Sequence, residues 1–209
     1  MKEGDIKKAL KHLKKDTHLA PLVTKYGAPD LHWGQKRRSA FQALIKAIIF
    51  QQLSGKAAHT ILKRFLALYN GRFPSPKRLS ETSIEDLRSV GVSGQKASYL
   101  HDLAAKFING TVNPRRFRVM SDEEVFEHVV AVKGVGPWTT DMFLMFTLGR
   151  PDILPTGDLG IQNGFKKLFK LKERPTPEKM QERAKQWRPY RTIACWYLWR
   201  LADENNSSR

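Results

Sequence analysis

Val132-Lys133-Gly134-Val135-Gly136-Pro137-Trp138-Thr139-Thr140 lies between two stretches of helical apolar spacing, and its reading decides the fold. Gly134 and Gly136 permit positive φ and leave the backbone bare. Pro137 suits the first turn of the helix that follows. Bare amides at a helix N-terminus favour an anion such as a nucleic-acid phosphate, and Thr139 and Thr140 offer hydroxyls nearby. A lone Gly-x-Gly is equally consistent with a plain helix connection. Its weight therefore depends on its surroundings.

Outward from this turn the chain reads as helix. Phe41, Leu44, Ile45, Ile48 and Ile49 recur at helical spacing, as do Ala58, Ile61, Leu62, Phe65 and Leu66, and Ala97, Leu100, Ala104, Phe107 and Ile108. Ser121 and Glu124 form a capping-box pattern. Gly and Pro separate the segments at Asn70-Gly71, Phe73-Pro74-Ser75-Pro76, Asn109-Gly110, Asn113-Pro114, Gly149-Arg150-Pro151 and Arg174-Pro175-Thr176-Pro177. Sustained period-2 alternation is missing, so the expected class is all-α, with about ten short helices. The expected organisation is one domain of two lobes with a cleft between them. Residues 74–118 belong to the lobe that contains or adjoins the hairpin, and 1–35 with 160–205 mainly to the other. The stretch Lys2–Lys15 carries six lysines and reads as a surface helix or a basic arm. The tail from Asp203 is expected to fray.

Charge narrows the partners. The 209 residues include 37 Lys and Arg against 20 Asp and Glu, a formal net charge of +17. Such an excess fits a polyanion. With 41% hydrophobic residues a packed core is expected. The single cysteine, Cys195, excludes an internal disulfide and a four-cysteine metal site, and points to reducing intracellular surroundings. The start, Met1-Lys2-Glu3-Gly4-Asp5, does not read as a signal peptide. Runs such as Phe143-Leu144-Met145-Phe146 are too short to cross a bilayer, so a membrane partner is not expected. Val90-Gly91-Val92-Ser93-Gly94-Gln95-Lys96-Ala97 echoes the hairpin and offers Lys96 as a second phosphate contact, with a simple helix connection as the alternative.

Two further clusters carry chemistry. Leu154-Pro155-Thr156-Gly157-Asp158-Leu159-Gly160-Ile161 places Asp158 in a turn ahead of a helix. It reads as an N-cap, and a capping position is compatible with a carboxylate aimed at a cleft. Trp187-Arg188-Pro189-Tyr190-Arg191 leads into Ala194-Cys195-Trp196-Tyr197-Leu198-Trp199. These aromatics are either core or a wall for a flat cationic ligand.

Taken in order, Phe50-Gln51-Gln52-Leu53, Lys56-Ala57-Ala58, Lys133 to Thr139, Pro155 to Leu159 and Arg188-Pro189-Tyr190-Arg191…Trp196-Tyr197-Leu198-Trp199 resemble the helix–hairpin–helix (HhH-GPD) DNA glycosylase superfamily. The nearest branch is that of the alkylbase, or 3-methyladenine DNA glycosylase II, enzymes in their compact fungal form. The resemblance covers roughly residues 35 to 202. It implies base excision repair of 3-methyladenine- and 7-methylguanine-class lesions in duplex DNA, with a non-catalytic or weakly active damage-binding paralogue as the alternative. By the same resemblance Asp158 is the catalytic carboxylate. Trp138, Trp199 and Met142 line the base pocket, and Gln52, Leu53 and Ser54 form the wedge. Gly134, Val135, Gly136, Thr139, Lys56 and Lys96 meet phosphate. Tryptophan at 138, where lyase-active relatives carry lysine, implies a monofunctional enzyme. No cofactor is implied beyond a structural Na+ or K+ on the backbone carbonyls of Val132 and Val135. The implied partner is double-stranded DNA with alkylated bases or abasic sites, bound by a monomer. The implied compartment is the nucleus in a eukaryote and the cytoplasm or nucleoid otherwise. Lys36-Arg37-Arg38 is among the scattered basic clusters. Gly157 and Ser54 depart from the family, in which many members carry aspartate before the catalytic carboxylate and some carry a bulky residue after the wedge leucine.

Overall fold

The computed structural model describes residues 3–29 and 39–204. The Lys36-Arg37-Arg38 cluster and the tail beyond Glu204 lie outside them. Among the described residues there are twelve α-helices and no strand. They fall into two compact units: residues 39–143, and residues 3–29 with 144–204.

The unit of residues 39–143 holds α3 (Ala40–Phe50), α4 (Gly55–Ala67), α5 (Pro76–Ser80), α6 (Ile84–Ser89), α7 (Gly94–Ile108), α8 (Asp122–Val130) and α9 (Pro137–Phe143). Its starts are written in serine. Ser39, Ser54, Ser75, Ser83, Ser93 and Ser121 each accept the N–H three residues on, and Ser121 completes a reciprocal capping box with Glu124. Each cap satisfies an amide with no partner inside its helix, and contributes about 1 kcal/mol. The α3 stripe is the core: Leu44, Ile45, Ile48 and Ile49 are fully buried, and Phe41 nearly so. α7 is the central support, packing on α3, α5 and α6. Ile108, at the end of its stripe, is exposed.

The other unit holds α1 (Glu3–Leu13), α2 (Leu19–Tyr26), a π-helical turn (Leu144–Leu148), α10 (Leu159–Leu168), α11 (Pro177–Arg183), a 3-10 turn (Lys185–Trp187) and α12 (Arg191–Asp203). The lysine-rich start is thus a surface helix, held by buried Ala9 and Leu13. α10 lies against α12 at a glycine: a Cβ on Gly164 would stand 2.6 Å from the Leu198 carbonyl oxygen. Asp16, buried, accepts the amides of His18 and Leu19, each at 2.8 Å, along with Gln186 Nε2 and Trp187 Nε1. Trp187 is fully buried against Phe165 and Phe169, which makes it core.

Candidate active site and nucleic-acid interface

In the unit of residues 39–143, the hairpin closes through Val135 N–H to the Val132 carbonyl at 3.0 Å, with both valine side chains buried beneath it. Gly134 takes φ +76°, and a Cβ there would fall 2.0 Å from Tyr99 Cδ2 on α7. Conformation and space both require glycine. Gly136 has open space where a Cβ would be, so its backbone is accessible. The first amide to bond within α9 is that of Thr140, to Gly136 O at 3.0 Å, and the Thr140 hydroxyl returns to the same oxygen. Thr139 is buried, so little of its side chain faces solvent.

Trp138 begins the less buried face of α9 and is 51% exposed. Asp141 and Met142, three and four residues on, share that face and are half-buried. Burial pushes the Asp141 carboxyl up to about 7. Its spacing from Trp138 was the signal available in the sequence. The burial that perturbs it was not.

The proposed wedge leaves α3 through Gln51 and then Gln52, which takes φ +55°. Leu53 follows at 37% exposure, a large apolar side chain presented to solvent. Ser54 is the N-cap of α4, accepting from Ala57 N–H, which gives it a structural duty beside any contact with DNA. Lys56 stands exposed in the first turn of α4, where the helix dipole does not favour a cation, so its charge can serve an external anion. Gln51 had no assigned role, yet its Nε2 donates to Gly134 O at 2.7 Å and ties wedge to hairpin.

Lys96 departs from expectation. Its ammonium turns inward and donates to Ile49 O at 2.8 Å and Gln51 O at 2.7 Å. Two of its three N–H groups are spent on the end of α3, and burial lowers its pKa. One N–H of the ammonium remains for any external acceptor.

The unit that includes residues 144–204 holds the carboxylate. Asp158 caps α10, and its Oδ1 accepts Ile161 N–H at 2.8 Å and Trp199 Nε1 at 2.9 Å. It is 9% exposed. The N-cap reading of Asp158 is thus borne out. The indole of Trp199 stacks on Phe146 at 5.9 Å between centroids and lies across Gly160, where a Cβ would come within 2.7 Å of it. The loop before Asp158 is fastened to the start of α12. Asp152 pairs with Arg191 Nε at 2.7 Å and with Arg188, while Thr192 accepts Ile153 N–H and donates to Arg150 O. The arrangement offers an anchored carboxylate beside an aromatic plane.

No cluster of His, Cys, Asp and Glu among the described residues could hold a metal ion. The neutral carbonyls of the hairpin suit an alkali cation in type, and Val132 O retains a lone pair beyond its bond from Val135.

Residues 45–189 match the family model of the HhH-GPD superfamily base excision DNA repair proteins. The alkylbase DNA glycosidase-like protein mag2 of Schizosaccharomyces pombe is 36% identical over 204 residues, covering 96% of this chain and 95% of that one. DNA-3-methyladenine glycosylase 1 of the same yeast is 36% identical over 173 residues, covering 80% and 76%. Among solved structures, the S. pombe 3-methyladenine DNA glycosylase in complex with abasic DNA superposes with a TM-score of 0.78 at 35% identity, covering 92% of this chain and 95% of that one. A DNA-3-methyladenine glycosidase from Bacillus halodurans gives 0.87 at 34%, covering 96% and 91%.

Proposed function

This chain belongs to the HhH-GPD superfamily of base excision DNA repair proteins, and from that premise we propose that it flips alkylated purines of the 3-methyladenine and 7-methylguanine class out of duplex DNA and hydrolyses their N-glycosidic bond. The observation that carries this is the anchored Asp158 carboxylate, oriented by Ile161 N–H and Trp199 Nε1.

The chemistry follows from charge. The bond to be broken is hidden in a duplex, so the nucleotide must leave the stack. Leu53 fills the gap it leaves and holds the bend. The hairpin amides around Gly134, Val135 and Gly136, with Lys56, hold flanking phosphates. A monovalent cation on the carbonyls of Val132 and Val135 would brace that turn. Trp138, with Met142 on the same face of its helix, and Trp199 each offer a flat cationic base an aromatic face for stacking and cation–π attraction. An alkylated purine departs as a neutral base and leaves positive charge on the sugar. Asp158 faces that charge and orients the attacking water. At 4 Å and an effective dielectric near 20, two opposite charges attract by roughly 4 kcal/mol, about a thousandfold in rate if realised in the transition state. Tryptophan at 138 has no amine to form a Schiff base, so the enzyme acts without lyase chemistry. It works as a monomer, in the nucleus where the cell is eukaryotic and in the cytoplasm or nucleoid otherwise.

A second reading, a damage-binding protein with little or no excision, is favoured by Ser54 and Gly157. Ser54 is a small cap where some relatives carry a bulkier wedge neighbour, and Gly157 leaves open space beside Asp158. The deciding experiment incubates the protein with duplexes carrying alkylated purines, hypoxanthine or ethenoadenine, followed by alkali. Strand breaks that disappear in Asp158→Asn, with binding retained, support excision. Lesion-selective binding without breaks in the wild type establishes the second reading instead.

A further inference from the structure

The face of α7 formed by Lys96, Tyr99 and Asp102 touches both parts of the DNA-binding unit. Lys96 Nζ holds the Ile49 and Gln51 carbonyls at 2.8 and 2.7 Å. Tyr99 lies under Gly134, and Asp102 Oδ2 accepts the Lys133 amide of the hairpin at 2.8 Å. The three residues recur every three positions, so they form one row along the helix. The carbonyls that Lys96 holds are among those that a helix C-terminus leaves without intrahelical partners. Leu53 N–H, which would bond Ile49 O if α3 continued, instead makes a long 3.4 Å bond to Phe50 O. At the N-terminus of its own helix a cation is disfavoured, whereas at the C-terminal end of α3 the dipole welcomes it. Gln52 then turns to φ +55°, from which Leu53 projects.

We infer that Lys96 is a positioning residue: its ammonium clamps the end of α3, and the α7 row thereby fixes the 51–54 loop in register with the phosphate-holding hairpin. The role assigned to that loop in DNA rests on the proposed function, but the clamp itself does not. Two consequences separate it from a phosphate contact. A lost phosphate contact weakens all duplexes alike and makes the salt slope shallower by about 0.9. A lost clamp leaves that slope unchanged and removes the advantage of a lesion, because only the lesion-bound state needs the wedge seated.

The test compares Lys96→Met and Lys96→Arg with the wild type in two measurements. The first is amide hydrogen exchange of the DNA-free protein over residues 49–54. Lys96→Met is expected to speed exchange there by about tenfold while peptides of α10 and α12 are unchanged, and Lys96→Arg to recover most of the protection. Unchanged exchange at 49–54 overturns the clamp whatever the protein does to DNA. The second titrates an undamaged duplex and one with a tetrahydrofuran abasic site beside 2-aminopurine. Lys96→Met is expected to bind undamaged duplex within about twofold with an unaltered salt slope. It should lose about tenfold in preference for the abasic duplex, together with the 2-aminopurine signal. Equal weakening on both duplexes with a shallower slope overturns the proposal in favour of a phosphate contact. A wild type without lesion preference, with deprotection in Lys96→Met, leaves the clamp standing and removes the functional reading.

Discussion

Asp141 is a carboxylate whose environment strongly disturbs its chemistry. Burial alone lifts its carboxyl from 3.8 to about 7. Below the unfolded value it is protonated in folded and unfolded chains alike and costs nothing. As pH rises from about 4 to about 7 the unfolded chain ionises it while the folded chain keeps its proton, so stability falls across that window and levels off above it. Keeping the carboxyl neutral across that range corresponds to about 4 kcal/mol, which partial solvation reduces to about 2. Asp141→Asn should therefore match the wild type in urea unfolding near pH 4 and exceed it by about 2 kcal/mol at pH 8. A gap of equal size at both pH values would sink the assignment. The sequence offered Asp141 only as a charge three residues from Trp138, since what buries it comes from packing. Lys96 is the mirror case. A lysine in a Gly-rich turn reads as a surface cation, and its inward course depends on where α3 ends. The N-cap at Asp158 was legible because the turn residues around it and the helix after it are local features, and the cap needs only the Ile161 amide three residues on.

Helices were the most readable elements, because a 3.6-residue apolar period survives tertiary context. The α3 stripe from Phe41 to Ile49 is buried throughout, and the Ser121–Glu124 box forms as its spacing requires. α1 was left between helix and basic arm because its lysines conceal how little apolar surface, Ala9 and Leu13, is needed to hold it. What local pattern cannot encode is how closely two helices approach. Gly160, in the first turn of α10, lies under Trp199 of α12, where an added Cβ would stand 2.7 Å from Cδ1 of the indole and 3.0 Å from Asp158 Oδ1. Gly157, three residues earlier, has nothing within 4 Å of the same position. The two glycines look alike in sequence and differ in consequence. Gly160→Ala should displace the indole from the carboxylate, cost about 1–3 kcal/mol of stability through overpacking, and slow single-turnover base release by about tenfold or more. Gly157→Ala should leave both within about twofold. Loss of activity in Gly157→Ala with Gly160→Ala intact would contradict the geometry.

At the scale of the whole chain, net charge is a total that conceals its distribution. The +17 comes from 37 basic and 20 acidic residues, yet several of the cations are engaged internally. Lys96 serves α3, Lys167 holds the Leu201 and Ala202 carbonyls at the end of α12, and Arg191 is committed to Asp152. The number of phosphates neutralised must therefore be below the number of basic side chains. About five phosphates is a reasonable count for such a surface, which gives a slope of log K against log salt of about −4.5 and a loss of roughly 500-fold in affinity between 50 and 200 mM salt. Fluorescence anisotropy with duplexes of equal length measures it. On the proposed mechanism the abasic and undamaged duplexes should give parallel lines, because an apolar wedge and a stacked base release no counterions. A slope near −1 would show that the positive charge is not gathered on a DNA-binding face. Diverging lines would show that lesion recognition itself is ionic, and would move the source of specificity from Leu53 to the basic side chains around it.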